Sequence, residues 1–119
     1  VVSISSDNSG QLHISKKAYD KTVAGIISGA GGIQPGMLMG QEGTIANGKH
    51  PVALTGRVYC LVDASYGEIK PGDLLTTSPT LGHAMKVTDH DAGRGATIGK
   101  AMTSMQNGKG LVLVLVSLQ

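Results

Sequence analysis

Gly56-Arg57-Val58-Tyr59-Cys60-Leu61-Val62-Asp63, then Gly67-Glu68-Ile69-Lys70-Pro71-Gly72-Asp73-Leu74-Leu75-Thr76-Thr77-Ser78, then Gly82-His83-Ala84-Met85 read as strand, turn, strand, turn, strand. Val58, Cys60 and Val62 alternate with Arg57, Tyr59 and Leu61, and the run stops at a small polar cluster. A period of two, not 3.6, is the pattern of a strand with two unlike faces. One face is apolar. The other is semi-polar, with Arg57 and Tyr59 one pleat apart. Both residue types are enriched where proteins meet, so this face suits contact with a neighbouring subunit or stacking of Tyr59 on a sugar.

The flanking sequence repeats the pattern of short strands and turns. Residues 1–5 and 12–15 alternate around Asp7-Asn8-Ser9-Gly10, a hairpin signal, because Asn and Gly tolerate positive φ. Residues 16–20 predict one loose helical turn, and 23–28 an apolar strand ended by Gly29-Ala30-Gly31-Gly32. Ile33-Gln34-Pro35-Gly36-Met37-Leu38 recurs in outline as Ile69-Lys70-Pro71-Gly72-Asp73-Leu74. Pro followed by Gly at the centre of each copy suits a type II turn, and the recurrence hints at two related β halves. Residues 41–50 form a polar loop with Asn47-Gly48, and Pro51 opens a strand. Gly56 predicts a bulge that splits Val52-Ala53-Leu54 from residues 57–62. Residues 88–95 read as a polar turn, 96–102 as a loosely alternating strand, and Asn107-Gly108 as a further turn.

Residues 111–118 are an almost unbroken apolar strand. Without alternation they predict burial on both faces, by the core on one side and another chain on the other, which makes Leu113 and Val114 interface candidates. Together these signals predict an all-β fold: a glycine-rich barrel or sandwich of about nine or ten short strands with little or no helix.

A chain of 119 residues is one domain by length, spanning 1–119. Phe and Trp are absent, so the core is built from Val, Ile, Leu, Met and Ala. Eighteen glycines without a three-residue period indicate many turns rather than collagen. The formal charge of +2 is spread among interspersed acids and bases, which argues against a nucleic-acid partner. No apolar run approaches the roughly 20 residues of a membrane-spanning helix. A start directly on a strand, without Met or a leader, reads as the C-terminal part of a longer protein or a processed product.

The chemistry-bearing side chains form weak patterns. Asp73, Ser78 and His83 could make a nucleophile, a base and an orienting carboxylate. However, Ser78 sits in a Thr-Thr-Ser-Pro turn, where hydroxyls bond local backbone, and no nucleophile elbow surrounds it. Cys60, the single cysteine, is the other nucleophile candidate, and its alternating strand position favours a small buried hydrophobe. His13, His50, His83 and His90 have no metal-ligand spacing, so no metal is expected. Gly29-Ala30-Gly31-Gly32 lacks the Gly-Lys-Ser/Thr ending of a phosphate loop, and no cofactor motif is present. Met37, Met39, Met85, Met102 and Met105 read as gap fillers in a core without Phe.

Several of these pieces occur together in one known pattern. They are Tyr19-Asp20, Val23-Ala24-Gly25-Ile26 with Ser28-Gly29, Gly56-Arg57-Val58-Tyr59-Cys60 with Val62-Asp63-Ala64, Pro71-Gly72-Asp73-Leu74-Leu75-Thr76-Thr77-Ser78, Gly82-His83-Ala84-Met85 and Ile98-Gly99-Lys100-Ala101. In them the chain resembles the C-terminal β domain of large bacterial surface or exported proteins and phage-tail-fibre-like proteins. More distantly it is similar to the C-terminal chaperone domains of phage appendages, some of which cleave themselves off. The resemblance implies a terminal assembly module, a homo-oligomer with a trimer favoured, at an extracellular, cell-surface or virion address. A monomeric glycan-binding module using Arg57 and Tyr59 is the alternative, and a self-cleaving peptidase a third.

Overall fold

A computed structural model describes residues 1–5, 7, 10–27 and 52–119. Among them are nine strands: β1 (Val2–Ile4), β2 (Leu12–Ile14), β3 (Val23–Ile27), β4 (Val52–Ala53), β5 (Thr55–Asp63), β6 (Leu74–Thr77), β7 (Ala84–Lys86), β8 (Thr97–Ala101) and β9 (Lys109–Ser117). The fold is all-β, as the alternation and turn signals predict. The described helical residues are a 3₁₀ turn at Ala64–Tyr66 and one short helix, α1, at His90–Gly93. α1 falls in the stretch read as a polar turn. Asp89 starts it by accepting the Asp91 and Ala92 N–H groups at 3.1 Å, the usual N-cap arrangement.

The strands form two units. β2, β1, β3 and β4 lie side by side as an antiparallel sheet, and β5, β7, β6, β8 and β9 close into a barrel. The chain passes from sheet to barrel through a bend at Leu54, two residues before the predicted break at Gly56; Gly56 instead sits inside β5 at φ +89°. Residues 15–20 fasten the sheet to the barrel. Gly82 N–H donates to the Ser15 carbonyl at 2.8 Å, and Asp20 N–H to Thr77 Oγ1 at 2.8 Å. The Tyr19 hydroxyl accepts from the Thr88 and Asp89 N–H groups at 3.0 and 2.9 Å. Tyr19 reaches them from a left-handed backbone, φ +52°, so this segment is a sharp turn and not the predicted helical one.

The barrel is built on one long ladder. β5 and β9 pair antiparallel over nine rungs, from Thr55↔Ser117 to Asp63↔Lys109. Val112, Val114 and Val116 point inward with Cys60 and Val62, while Leu111 and Leu115 are exposed and Leu113 is half-buried. The expected burial of residues 111–118 on both faces is therefore corrected. In particular, Val114 has no exposed surface and belongs to the core, not to an interface. The sorting follows the alternation of the strand: Val112, Val114 and Val116 join Leu75 and Ile98 in the core, and the leucines of β9 stand on the opposite face.

Pro71-Gly72 forms a tight turn whose Gly72 has φ +93°, and Asp73 N–H donates to the Lys70 carbonyl at 3.0 Å. Its sequence counterpart Pro35-Gly36 lies outside the described residues, as do the Gly29–Gly32 turn, the 41–50 loop with Asn47-Gly48, Met37, Met39, His50 and Pro51.

Candidate functional site

The possible Ser-His-Asp set does not assemble. Ser78 is buried; its hydroxyl donates to the His83 main-chain carbonyl at 2.7 Å and accepts from Thr80 N–H at 3.2 Å. The His83 ring turns away, with Nδ1 2.7 Å from the Leu81 carbonyl. Asp73 Oδ2 accepts from Lys70 N–H at 2.8 Å and lies 3.5 Å from Lys86 Nζ. Each group is committed to local backbone or to a surface ion pair. Cys60 is buried in the barrel, where burial pushes its thiol pKa up and its Sγ lies 3.3 Å from the Leu61 carbonyl. A protonated, enclosed thiol is a poor nucleophile. Among the described residues no group of three or more His, Cys, Asp or Glu could hold a metal ion.

The Thr76-Thr77-Ser78 run has a different use. Thr76 Oγ1 donates to the Ala96 carbonyl at 2.6 Å, Thr77 Oγ1 receives Asp20 N–H, and Ser78 closes its own turn. The hydroxyls stitch buried backbone that would otherwise be unsatisfied.

Asp63 anchors a second network. It is buried, caps the 3₁₀ turn through Ser65 N–H at 3.0 Å, and accepts from Ser65 Oγ at 2.5 Å and Thr80 Oγ1 at 2.7 Å. Tyr66 OH extends the chain to Thr80 at 3.0 Å. The Ser65 and Thr80 hydroxyls hold the Asp63 carboxyl at a pKa of about 2. Because this lies below the ordinary carboxylate value, the stabilisation is full above about pH 4 and is lost as pH falls through about 2. Asp63→Asn should cost about 2 kcal/mol near neutral pH and flatten the loss of stability on acidification from about pH 4 to about pH 2. Urea unfolding of both proteins across that range measures it; an unchanged acid limb in the variant would contradict the assignment.

The feature that stands out is the outer wall of the β5–β9 ladder. Rungs Arg57↔Leu115, Tyr59↔Leu113 and Leu61↔Leu111 put six side chains on one face. Tyr59 is 58% exposed, Leu115 46% and Leu111 43%. Met102 continues the patch: its N–H donates to the Leu113 carbonyl at 2.7 Å and its side chain is exposed. Polar rungs, Thr55↔Ser117 and Asp63↔Lys109, close both ends. Of the interface candidates, Arg57, Tyr59 and Leu113 share this face, and Val114 does not. Leu61, Leu111, Leu115 and Met102 were missed, although the strict Leu–Val alternation of residues 111–116 carries the signal: branched valines in, leucines out.

A cleft of about 310 Å³ opens elsewhere on the barrel, between α1 and the strands, with Leu74 and Val87 in its lining and His90 and Arg94 beside them. The Arg94 guanidinium is 3.9 Å from the exposed Asp91 carboxylate, a loose surface pair.

Comparison with protein-family models, with curated proteins and with solved structures returns no match.

Proposed function

We propose that the chain is a structural assembly module that self-associates through the outer face of the β5–β9 ladder, as the terminal domain of a fibre-like or surface protein. The apolar row of exposed Tyr59, Leu111 and Leu115 with half-buried Leu113 among them, between polar ends, carries the reading. Apolar side chains gathered on one sheet face between polar rungs supply the apolar centre that an interaction surface needs. The sequence resemblance supplies the context: an extracellular, cell-surface or virion protein in which three copies meet about a common axis.

The size of the patch sets the strength of association. Three rungs of a two-stranded ribbon cover on the order of 200 Å², taking about 7 Å per rung and about 10 Å across. A stable interface buries about 800 Å² per partner. The ladder is therefore the centre of a contact whose rim comes from flanking residues such as Met102, and the isolated chain should associate reversibly. Leu113→Asp should return the protein to single-chain mass in sedimentation velocity while its circular dichroism stays unchanged. A Leu113→Asp protein that associates like the parent would rule this face out.

Glycan binding is the second reading, because Arg57 and the Tyr59 ring stand exposed and adjacent on β5. It requires a monomer at all concentrations and a glycan affinity that Tyr59→Ala removes. The convex barrel wall favours the first reading, since most sugar sites are concave.

A further inference from the structure

One end of the apolar ladder carries cations with no ion-pair partner among the described residues. Leu115 pairs with Arg57 on β5 and with Lys100 on β8, so the rung runs Arg57–Leu115–Lys100 across three strands. Both cationic residues are exposed, and neither makes an ion pair among the described residues. Lys109 stands exposed at the opposite end of the ladder. Its rung partner Asp63 is an ionised carboxylate that offsets the Lys109 charge while accepting from Ser65 and Thr80, so this end of the ladder is balanced. The remaining described acids near these strands are also engaged: Glu68 lies 3.5 Å from Lys70, and Asp73 3.5 Å from Lys86.

We infer that self-association through this face is opposed by its own cations and is switched on by ionic strength. The inference rests on the assembly reading above and adds its regulation. Three copies turned about an axis along the strands bring every Arg57 and Lys100 to one level. Like charges then meet around an apolar centre, and like charges facing each other oppose association. Dissolved salt shortens the reach of that repulsion from about 10 Å at 0.1 M to about 3 Å at 1 M. The apolar contact is left intact. Association should thus tighten with salt, the reverse of a contact held by ion pairs.

The test is the association constant from sedimentation equilibrium of the whole chain in sodium chloride, from about 0.1 M to about 1 M, beside Arg57→Gln/Lys100→Gln. Both substituted side chains are exposed, so the double variant should fold. The wild-type constant should rise roughly tenfold across the series. The double variant should associate at low salt as tightly as the wild type does at high salt, and its salt dependence should disappear. This second arm separates charge repulsion from a general salting-out of apolar surface, which would persist in the variant. An oligomer whose constant is flat or falls with salt, or a double variant that keeps the wild-type rise, overturns the charge gate but leaves the assembly reading standing. A wild type that stays monomeric throughout overturns both.

Discussion

Aspartate in place of Val114 should unfold the barrel, whereas aspartate one residue earlier, in place of Leu113, should leave it folded and remove only its self-association. Val114 lies in the closed lumen with Cys60, Val62, Ile98 and Val112, all essentially without exposed surface. A carboxylate there is withdrawn from bulk solvent among apolar side chains, so either its charge is buried or it is protonated at a high pKa. Both routes cost several kcal/mol, on the scale of the whole folding free energy of about 5–15 kcal/mol. Leu113 is the adjacent residue on the same strand, yet its side chain stands on the outer wall opposite Tyr59. There a carboxylate stays hydrated, and the loss of stability should be about 1 kcal/mol. Far-ultraviolet circular dichroism with urea unfolding separates the two. Cooperative, near-native unfolding of Val114→Asp would contradict the inside–outside assignment of β9.

Alanine at Gly99 should be nearly as damaging, for a different reason. Gly99 lies in the middle of β8, paired with Leu75 of β6 on one side and Val116 of β9 on the other. A Cβ at this position would sit 2.1 Å from the Leu115 carbonyl oxygen and 3.0 Å from Val116 Cα. These are backbone atoms of a paired strand and cannot rotate away. The β6–β8 register shifts beside this position, between Leu75 and Thr76. The strand bends at such a bulge, as a small barrel requires to close. One methyl group therefore forces β8 and β9 apart beside this irregularity, at a cost of roughly 3 kcal/mol. Gly108→Ala is the control. Gly108 has φ +73° and open space around it, so only the backbone preference is lost, about 1 kcal/mol. Urea midpoints at constant slope compare the two. A Gly99→Ala protein within about 0.5 kcal/mol of the parent would mean that β8 and β9 do not approach this closely.

Much of this architecture is legible in the chain because the decisive signals are local. β1 and β2 pair as the hairpin signal of residues 7–10 predicts, Pro71-Gly72 leads into β6, and Asn107-Gly108 leads into β9. The two faces of β5 follow from alternation alone. What could not be read depends on partners distant in sequence. Residues 111–116 are apolar throughout, so their Leu–Val alternation is a weak local trace of two faces, and pairing with residues 57–61 shows that the leucines meet Arg57, Tyr59 and Leu61 outside while the valines turn inward. Asp63, Ser65 and Thr80 look like ordinary turn residues until the fold brings Thr80 back across 17 positions to the carboxylate. Tyr19 gives no sequence hint that its hydroxyl receives two N–H groups some 70 residues away. The Asp73, Ser78 and His83 set fails for the converse reason. Those residues are close in sequence, but strand and turn geometry aims each side chain at backbone.

The central claim, association through the outer face of the β5–β9 ladder, is tested most directly by light scattering coupled to size exclusion on the wild-type chain and on Leu113→Asp. Each is run at a low and a high protein concentration in about 0.5 M salt. The expected result is a wild-type mass that climbs with concentration toward a multiple of the chain, three copies being the stoichiometry the fibre-like resemblance suggests, and a Leu113→Asp mass that stays at one chain. A wild type that remains a single chain at both concentrations would contradict the account and turn attention to Arg57 and Tyr59 as a ligand site.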